Sequence, residues 1–171
     1  MKRTVRRAAR GDLPIIMRLI EDGKAIMRRN GNMLQWSDGY PQKELLLRDI
    51  DRGQSFLLMD HEGTDSRAIA TWAFIPGPDV TYNEIERGEW TDDVAPYYVI
   101  HRVASRPDCH HVLADIMAYC FSVTNNIRVD THRDNTIMQH ALLSLGFRYC
   151  GIIHLLNGDE RLAYQRIVDG K

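Results

Sequence analysis

The sequence predicts a mixed α/β domain of α+β character, spanning residues 1–171, with about seven strands, mostly antiparallel, and about four helices. Three observations predict it. Apolar residues switch repeatedly between helical spacing and short strand-like runs. Two pairs of strand-like runs are joined by polar turns of hairpin length, at 61–65 and at Asn157-Gly158. No linker, repeat or low-complexity tract divides the chain, and 171 residues suffice to bury one core without covalent staples.

In order, residues 4–7 read as the first strand. Asp12 then stands as an N-cap, with Pro14 in the first turn, where a missing N–H costs nothing. Ile16, Leu19, Ile20 and Gly23 follow helical spacing, extended by Ile26 and Met27, and Asn30-Gly31-Asn32 is a turn signal. After Trp36, Gly39-Tyr40-Pro41 opens a second helix through Leu45, Leu46 and Ile50, which Gly53 stops. Residues 55–60 and 67–75 form an antiparallel hairpin, ended by Pro76-Gly77-Pro78. Residues 79–96 hold Tyr82, Ile85 and Trp90 among acidic residues and read as either a short helix or a lid-like loop. Residues 97–105 are a strand, and Val112, Leu113, Ile116, Met117, Cys120 and Phe121 make the stripe of a third helix. Residues 127–131 are a strand, and 135–145 a helix stopped by Gly146. Residues 147–155 and 161–167 close the chain as a second hairpin.

Composition narrows the function classes. A hydrophobic share of 44% and a charged share of 26% are those of a soluble globular protein. A net charge of −1 gives no reason to expect a nucleic-acid or anionic-membrane partner. Lys2, Arg3, Arg6, Arg7 and Arg10 look like a targeting signal, but no apolar region follows, so they read as a first strand with solvated arginines. No apolar run approaches the ~18 residues of a membrane span. Cys109, Cys120 and Cys150 are odd in number and widely spaced, which indicates neither a disulfide framework nor a zinc pattern and suits a reducing cytoplasm.

Four stretches carry a further reading. Val5-Arg6-Arg7-Ala8 is followed by Gly11-Asp12-Leu13, and the central strand reads Ile100-His101-Arg102-Val103-Ala104. Asp130-Thr131-His132 precedes Asp134-Asn135, and Leu145-Gly146-Phe147 precedes Tyr149-Cys150-Gly151. In this order, with these elements between them, they resemble the GNAT superfamily of acyl-CoA-dependent N-acetyltransferases, from about Val5 to about Tyr164. Trp36 with Gly39-Tyr40-Pro41, the Tyr82–Trp90 stretch and Asp130-Thr131-His132 look like one bacterial subgroup. The resemblance implies a sheet with one splayed parallel pair and direct transfer of an acetyl group from acetyl-CoA to a primary amine, of a small molecule or an amino terminus. Dimerisation is common in such proteins, but nothing in the sequence demonstrates it.

By the same resemblance, the cofactor lies where two parallel strands part. The strand ending at Ser105 would offer backbone groups near Val103 and Ser105 to the pantetheine arm. The pyrophosphate would sit on the next helix's N-terminus, where unpaired N–H groups and the helix dipole favour an anion. The usual family loop is rich in glycine, whereas residues 105–112 contain none, and His110 and His111 fall where the basic residue and the first glycine usually are. Asp108 adds an unfavourable charge unless it points away. Two readings follow. Either backbone N–H groups of about Cys109 to Leu113, including Val112, still bind the cofactor with help from Arg106 or a histidine, or the chain is a degenerate member acting as a sensor or interaction module. Neighbouring histidines do not face one direction and no third ligand is evident, so no metal is expected.

The chemistry needs a base, an oxyanion donor and an acid. A backbone N–H near Val103 provides the donor, and the customary acid position, a tyrosine, holds Leu142. His101 shares strand parity with Val103 and is a candidate base. His132 and Asp130, spaced by two, would bind a polar substrate, hold a water chain or brace the strand end. Tyr149 either replaces the missing acid or packs in the core, and Asn135 either contacts the cofactor arm or caps its helix. Trp36 and Tyr40 on one side, and Tyr82, Glu84 and Trp90 on the other, are the candidate walls of an amine pocket.

Overall fold

The computed structural model describes residues 2–169, so the outermost residues of the expected 1–171 domain lie outside it. The strands are β1 (Lys2–Arg7), β2 (Ser55–Glu62), β3 (Asp65–Pro76), β4 (Tyr98–Ser105), β5 (Asn126–Thr131), β6 (Arg148–His154) and β7 (Glu160–Ile167). The helices are α1 (Leu13–Arg29), α2 (Lys43–Asp51), α3 (Val112–Val123) and α4 (Thr136–Ser144). The seven strands run in the order β1-β2-β3-β4-β5-β7-β6, mostly antiparallel, with one parallel pair, β4 and β5. The chain divides into two compact units, one of residues 1–74 and 101–116, the other of residues 75–100 and 117–171. No helix among the described residues is long and apolar enough to cross a membrane.

The first unit is built on β1–β2 and β2–β3 pairing with α1 and α2. Leu13, Ile16, Leu19, Ile20 and Gly23 form the buried stripe of α1 and pack with Leu46, Ile50, Leu57, Trp36 and Ala104. Each large apolar side chain so buried contributes about 1.5–3 kcal/mol. Gly23 matters by its lack of a side chain, since a Cβ there would stand 3.0 Å from the Cβ of Ala104 on β4. Asp12 precedes α1 without capping it through its side chain; the carboxylate instead pairs with Arg6 and accepts the Ala9 N–H. The second helix begins at Lys43, later than the Gly39-Tyr40-Pro41 signal suggests, because Asp38 and Gly39 are left-handed at φ 57° and 79°.

In the second unit, β7 lies antiparallel between β5 and β6, and the core holds Tyr82, Trp90, Val99, Cys150, Ile153 and Ala163. Gly146, at φ 84°, ends α4, and the Phe147 N–H returns to the Leu142 carbonyl at 3.0 Å. Residues 79–96 are neither helix nor free lid. One 3₁₀ turn, Val80–Tyr82, is followed by irregular chain that bridges β6 at Glu86 and Ile152. Gly88 lies so close to β6 that a Cβ there would run into the Cys150 carbonyl.

Candidate active site

The candidate residues fall into two sets, one in each unit. The parallel ladder, Tyr98↔Ile127 to Ile100↔Val129, belongs to the second unit, whereas β4 continues to Ser105 in the first. Arg102 lies in that continuation with a left-handed φ of 54°, which interrupts the side-chain alternation expected to place His101 and Val103 on one side. Its guanidinium donates from Nε to Asp49 Oδ2 at 2.8 Å, from Nη2 to Oδ1 at 2.9 Å, and from Nη1 to the Tyr40 hydroxyl at 3.2 Å. The two charged side chains are 9% and 7% exposed. Burial works against the guanidinium's charge, but Tyr40 and Asp49 outweigh it and its pKa is raised. The end of β4 is held too, for the Arg106 N–H donates to the Ile69 carbonyl of β3 at 2.9 Å.

The segment leading into α3 is tied down by arginines. Asp108 accepts from Arg106 Nε at 3.2 Å and from Arg67 Nη1 at 3.3 Å. The bond from Arg106 and, after it, that from Arg67 outweigh desolvation and hold the carboxyl below its ordinary pKa. The negative charge that weighed against a phosphate site is thus matched by Arg106 of its own loop and Arg67 of β3. Burial and the adjacent Asp108 push the Cys109 thiol up. Arg3 donates to the His110 carbonyl at 2.9 Å and pairs with Asp115 at 2.7 Å. His110 and His111 are exposed, Val112 is buried and Leu113 half-buried. His111 has φ 58°, so it takes the left-handed conformation at the place where the resemblance sets a glycine. Few residues other than glycine do so, and histidine is among the enriched types.

In the second unit, Tyr82, Trp90 and Asp130 come together. The Tyr82 hydroxyl donates to Asp130 Oδ2 at 2.6 Å, and Trp90 Nε1 donates to the Tyr82 carbonyl at 3.0 Å. Burial, then the charge of Asp130, pushes the Tyr82 pKa well above its ordinary value, so the phenol stays a donor. Beside them Arg128, 1% exposed, lies between the rings of Trp90 and Tyr97, 4.0 and 3.9 Å from their centroids. Its Nη2 donates to the Asp92 carbonyl at 2.9 Å.

His132 falls one residue beyond β5, so strand spacing does not govern its relation to Asp130. Its Nδ1 accepts the Asp134 N–H at 3.0 Å, which fixes the neutral tautomer protonated on Nε2. Burial, then Arg161, lowers its pKa, against the opposing charge of Asp134. Asn135 caps α4, its side-chain oxygen accepting the Met138 N–H at 3.2 Å. Leu142 is fully buried. Tyr149 is not a core residue: it is 43% exposed, edge-on to Tyr164 at 5.6 Å. Glu84 is exposed, and Trp36 is part of the first unit's core. Sequence reasoning missed Asp49, Arg67 and Arg128, although Asp49 interrupts the apolar stripe of α2 and Arg128 stands between Ile127 and Val129.

No protein-family sequence model matches the chain, and no curated protein matches it by sequence. Solved structures do. A GNAT-family acetyltransferase from Streptococcus agalactiae 2603 is 31% identical, covers 98% of this chain and 96% of its own, and superposes with a TM-score of 0.86. One from Listeria monocytogenes 4b F2365 is 20% identical over 97% and 95%, at 0.69. The NatC complex bound to a Gag peptide and CoA matches over 99% and 100%, at 11% identity and 0.64. The last two share the fold. The first shares sequence as well, over nearly the whole of both chains, and on that kinship the chain belongs to the GNAT family of acetyltransferases.

Proposed function

We propose that the two units work as one domain over residues 1–171, moving an acetyl group from acetyl-CoA directly to a primary amine of a small molecule or an amino terminus in the cytoplasm. The observation that carries this reading is His111. Its backbone is left-handed, a conformation open to glycine without strain, at the position where the family loop usually has glycine. An anion at a helix N-terminus is held by backbone N–H groups, which are present whatever the side chain. Backbone groups of Val103, Ser105 and Cys109 to Leu113 would hold the cofactor, with help from Arg106, and Asn135 is a further candidate contact for its arm. NatC, which shares the fold, is seen with both CoA and a peptide, and this favours an amino-terminal acceptor as one class to test.

Acetyl-CoA supplies the activated acetyl group. The chain supplies an N–H at Val103 for developing negative charge on the acyl oxygen, and a base and an acid for the protons. His101 is the candidate base. His132, with Nδ1 occupied by the Asp134 N–H, enters as a neutral Nε2–H donor toward a polar substrate or water. Tyr149, half-exposed on β6, is the candidate acid, and Tyr82, Trp90 and Asp130, with Tyr40, Trp36 and Glu84, are candidates for the acceptor side.

One observation favours the second reading, a degenerate member. Leu142 fills the customary tyrosine position with a fully buried aliphatic side chain. Calorimetric titration with acetyl-CoA separates the two. Saturable binding, followed by free-thiol release with a panel of amines, supports the enzyme. Absence of binding at millimolar acetyl-CoA leaves the degenerate reading.

A further inference from the structure

We infer that Arg102, clamped by Asp49 and Tyr40, is a positioning residue that holds β4 in the conformation presenting the Val103 N–H to the acyl oxygen. The inference rests on the acetyl-transfer reading for the role of that N–H, while the clamp itself stands on geometry.

Arg102 has φ 54°, and a left-handed conformation is unfavourable for any residue that bears a Cβ. Arginine is not among the types that enter it readily. What retains it is at the far end of the side chain. Asp49 takes Nε and Nη2 in a bidentate pair at 2.8 and 2.9 Å, and the Tyr40 hydroxyl accepts from Nη1 at 3.2 Å. A turn of the backbone into extended geometry would redirect the Cβ and pull the guanidinium from a carboxylate that is 7% exposed, leaving that charge buried and unmatched. The Val103 N–H belongs to the peptide group that also carries the Arg102 carbonyl, so the clamp and the oxyanion donor share one rigid plane. Ala104, packed on α1 at Gly23, and the Arg106 N–H, bonded to Ile69, fix the chain just beyond that plane. Asp49 and Tyr40 themselves do not act on the acyl group.

Two double variants test this, Asp49→Asn/Arg102→Gly and Asp49→Asn/Arg102→Ala. Both remove the ion pair and neither leaves a buried charge unmatched. They differ in tolerance of a left-handed backbone. The readouts are the Val103 amide resonance and its hydrogen exchange without ligand, then kcat and KM for acetyl-CoA. The alanine pair is expected to move the Val103 resonance and to lower kcat by about tenfold or more, approaching the ~10²-fold loss of an oxyanion donor, with KM little changed. The glycine pair is expected to keep the resonance near its wild-type position and to recover most of that kcat. Equal Val103 behaviour in the two pairs overturns the inference, because a merely stabilising ion pair would be lost alike in both. If the alanine pair does not fold, Asp49→Leu/Arg102→Met, which also strands no charge, takes its place, and an unmoved Val103 resonance there overturns the inference as well. Wild-type protein that releases no thiol with any amine counts against the acetyl-transfer reading, and the amide comparison still decides the clamp.

Discussion

The two units each bury an arginine, and they answer its charge in opposite ways. Arg102 meets a carboxylate, with both Asp49 oxygens engaged and the phenol of Tyr40 alongside. Arg128 meets two aromatic faces and a backbone carbonyl, and its carboxylate contact among the described residues is the exposed Asp93 at 3.4 Å. The contrast extends outward. In the first unit Asp108 is matched by Arg106 and Arg67, whereas in the second Asp130 takes a neutral phenol and His132 a neutral backbone N–H. Pairing charge with charge makes each partner costly to remove alone. Answering charge with dipoles and rings spreads the cost and leaves more room for an environment that changes with pH.

The comparison breaks most visibly at Asp49. Asp49→Ala strands the Arg102 cation in a site where its side chain is 9% exposed, and is expected to destabilise by about 3–5 kcal/mol in urea unfolding. Asp49→Leu with Arg102→Met should cost clearly less than the single change, because no buried charge is left over. Additive losses in the double variant would refute that account. Arg128→Met is expected to cost less than Asp49→Ala, about 2 kcal/mol, since it loses the contacts with Trp90 and Tyr97 but strands no buried carboxylate. A cost equal to that of Asp49→Ala would remove the distinction between the units.

Tyr82→Phe probes the same difference at a single hydrogen bond. It removes the 2.6 Å donor to Asp130 and should destabilise by about 1.5–3 kcal/mol, the range for a bond to a charged group, toward the low end because Asp130 is only half-buried. Tyr82→Leu, which also takes the ring away from Trp90 and Tyr97, should cost clearly more. A loss in Tyr82→Phe below about 0.5 kcal/mol would mean that the ring's packing, not the bond, sets the cost.

Much of the fold was legible because it follows periodicity: the stripe from Leu13 to Gly23, the hairpin turn at Asn157-Gly158 and the stop at Gly146 each state their structure locally. Residues 79–96 were not legible. Their path depends on Gly88 against Cys150 and on Glu86 bridging Ile152, partners more than sixty residues away. The site was legible in part. A candidate cofactor segment could be named from the resemblance, but the left-handed backbone of Arg102 leaves no mark in residue type, and histidine at position 111 marks it only weakly. Strand parity does not govern His101 and Val103, because Arg102 interrupts it, nor His132, because β5 ends at Thr131. The buried charges did leave a signal, a carboxylate inside an apolar helical stripe and an arginine inside an apolar strand.

The smallest effect is also the one most specific to the second unit. His132 has its pKa lowered from 6.5 by burial first, then by Arg161 and Arg133, with Asp134 and Asp159 opposing. Between the ordinary value and the lowered one, the unfolded chain binds a proton that the folded chain refuses, so stability rises with pH through that window. The contribution is complete above 6.5 and is lost as pH falls from there toward the folded value. Its slope is bounded by about 1.4 kcal/mol per pH unit, the limit for one proton. Protonation also sets an N–H on Nδ1 against the Asp134 N–H it now accepts, so geometry and desolvation act in the same direction. His132→Asn keeps a side-chain acceptor near Asp134 but cannot titrate. Urea unfolding of both proteins from about pH 7.5 to about pH 5 should show the wild type losing stability faster, beginning near the free histidine pKa. Parallel curves would mean that His132 titrates alike folded and unfolded, and the neutral Nε2–H donor assigned to it would have no basis.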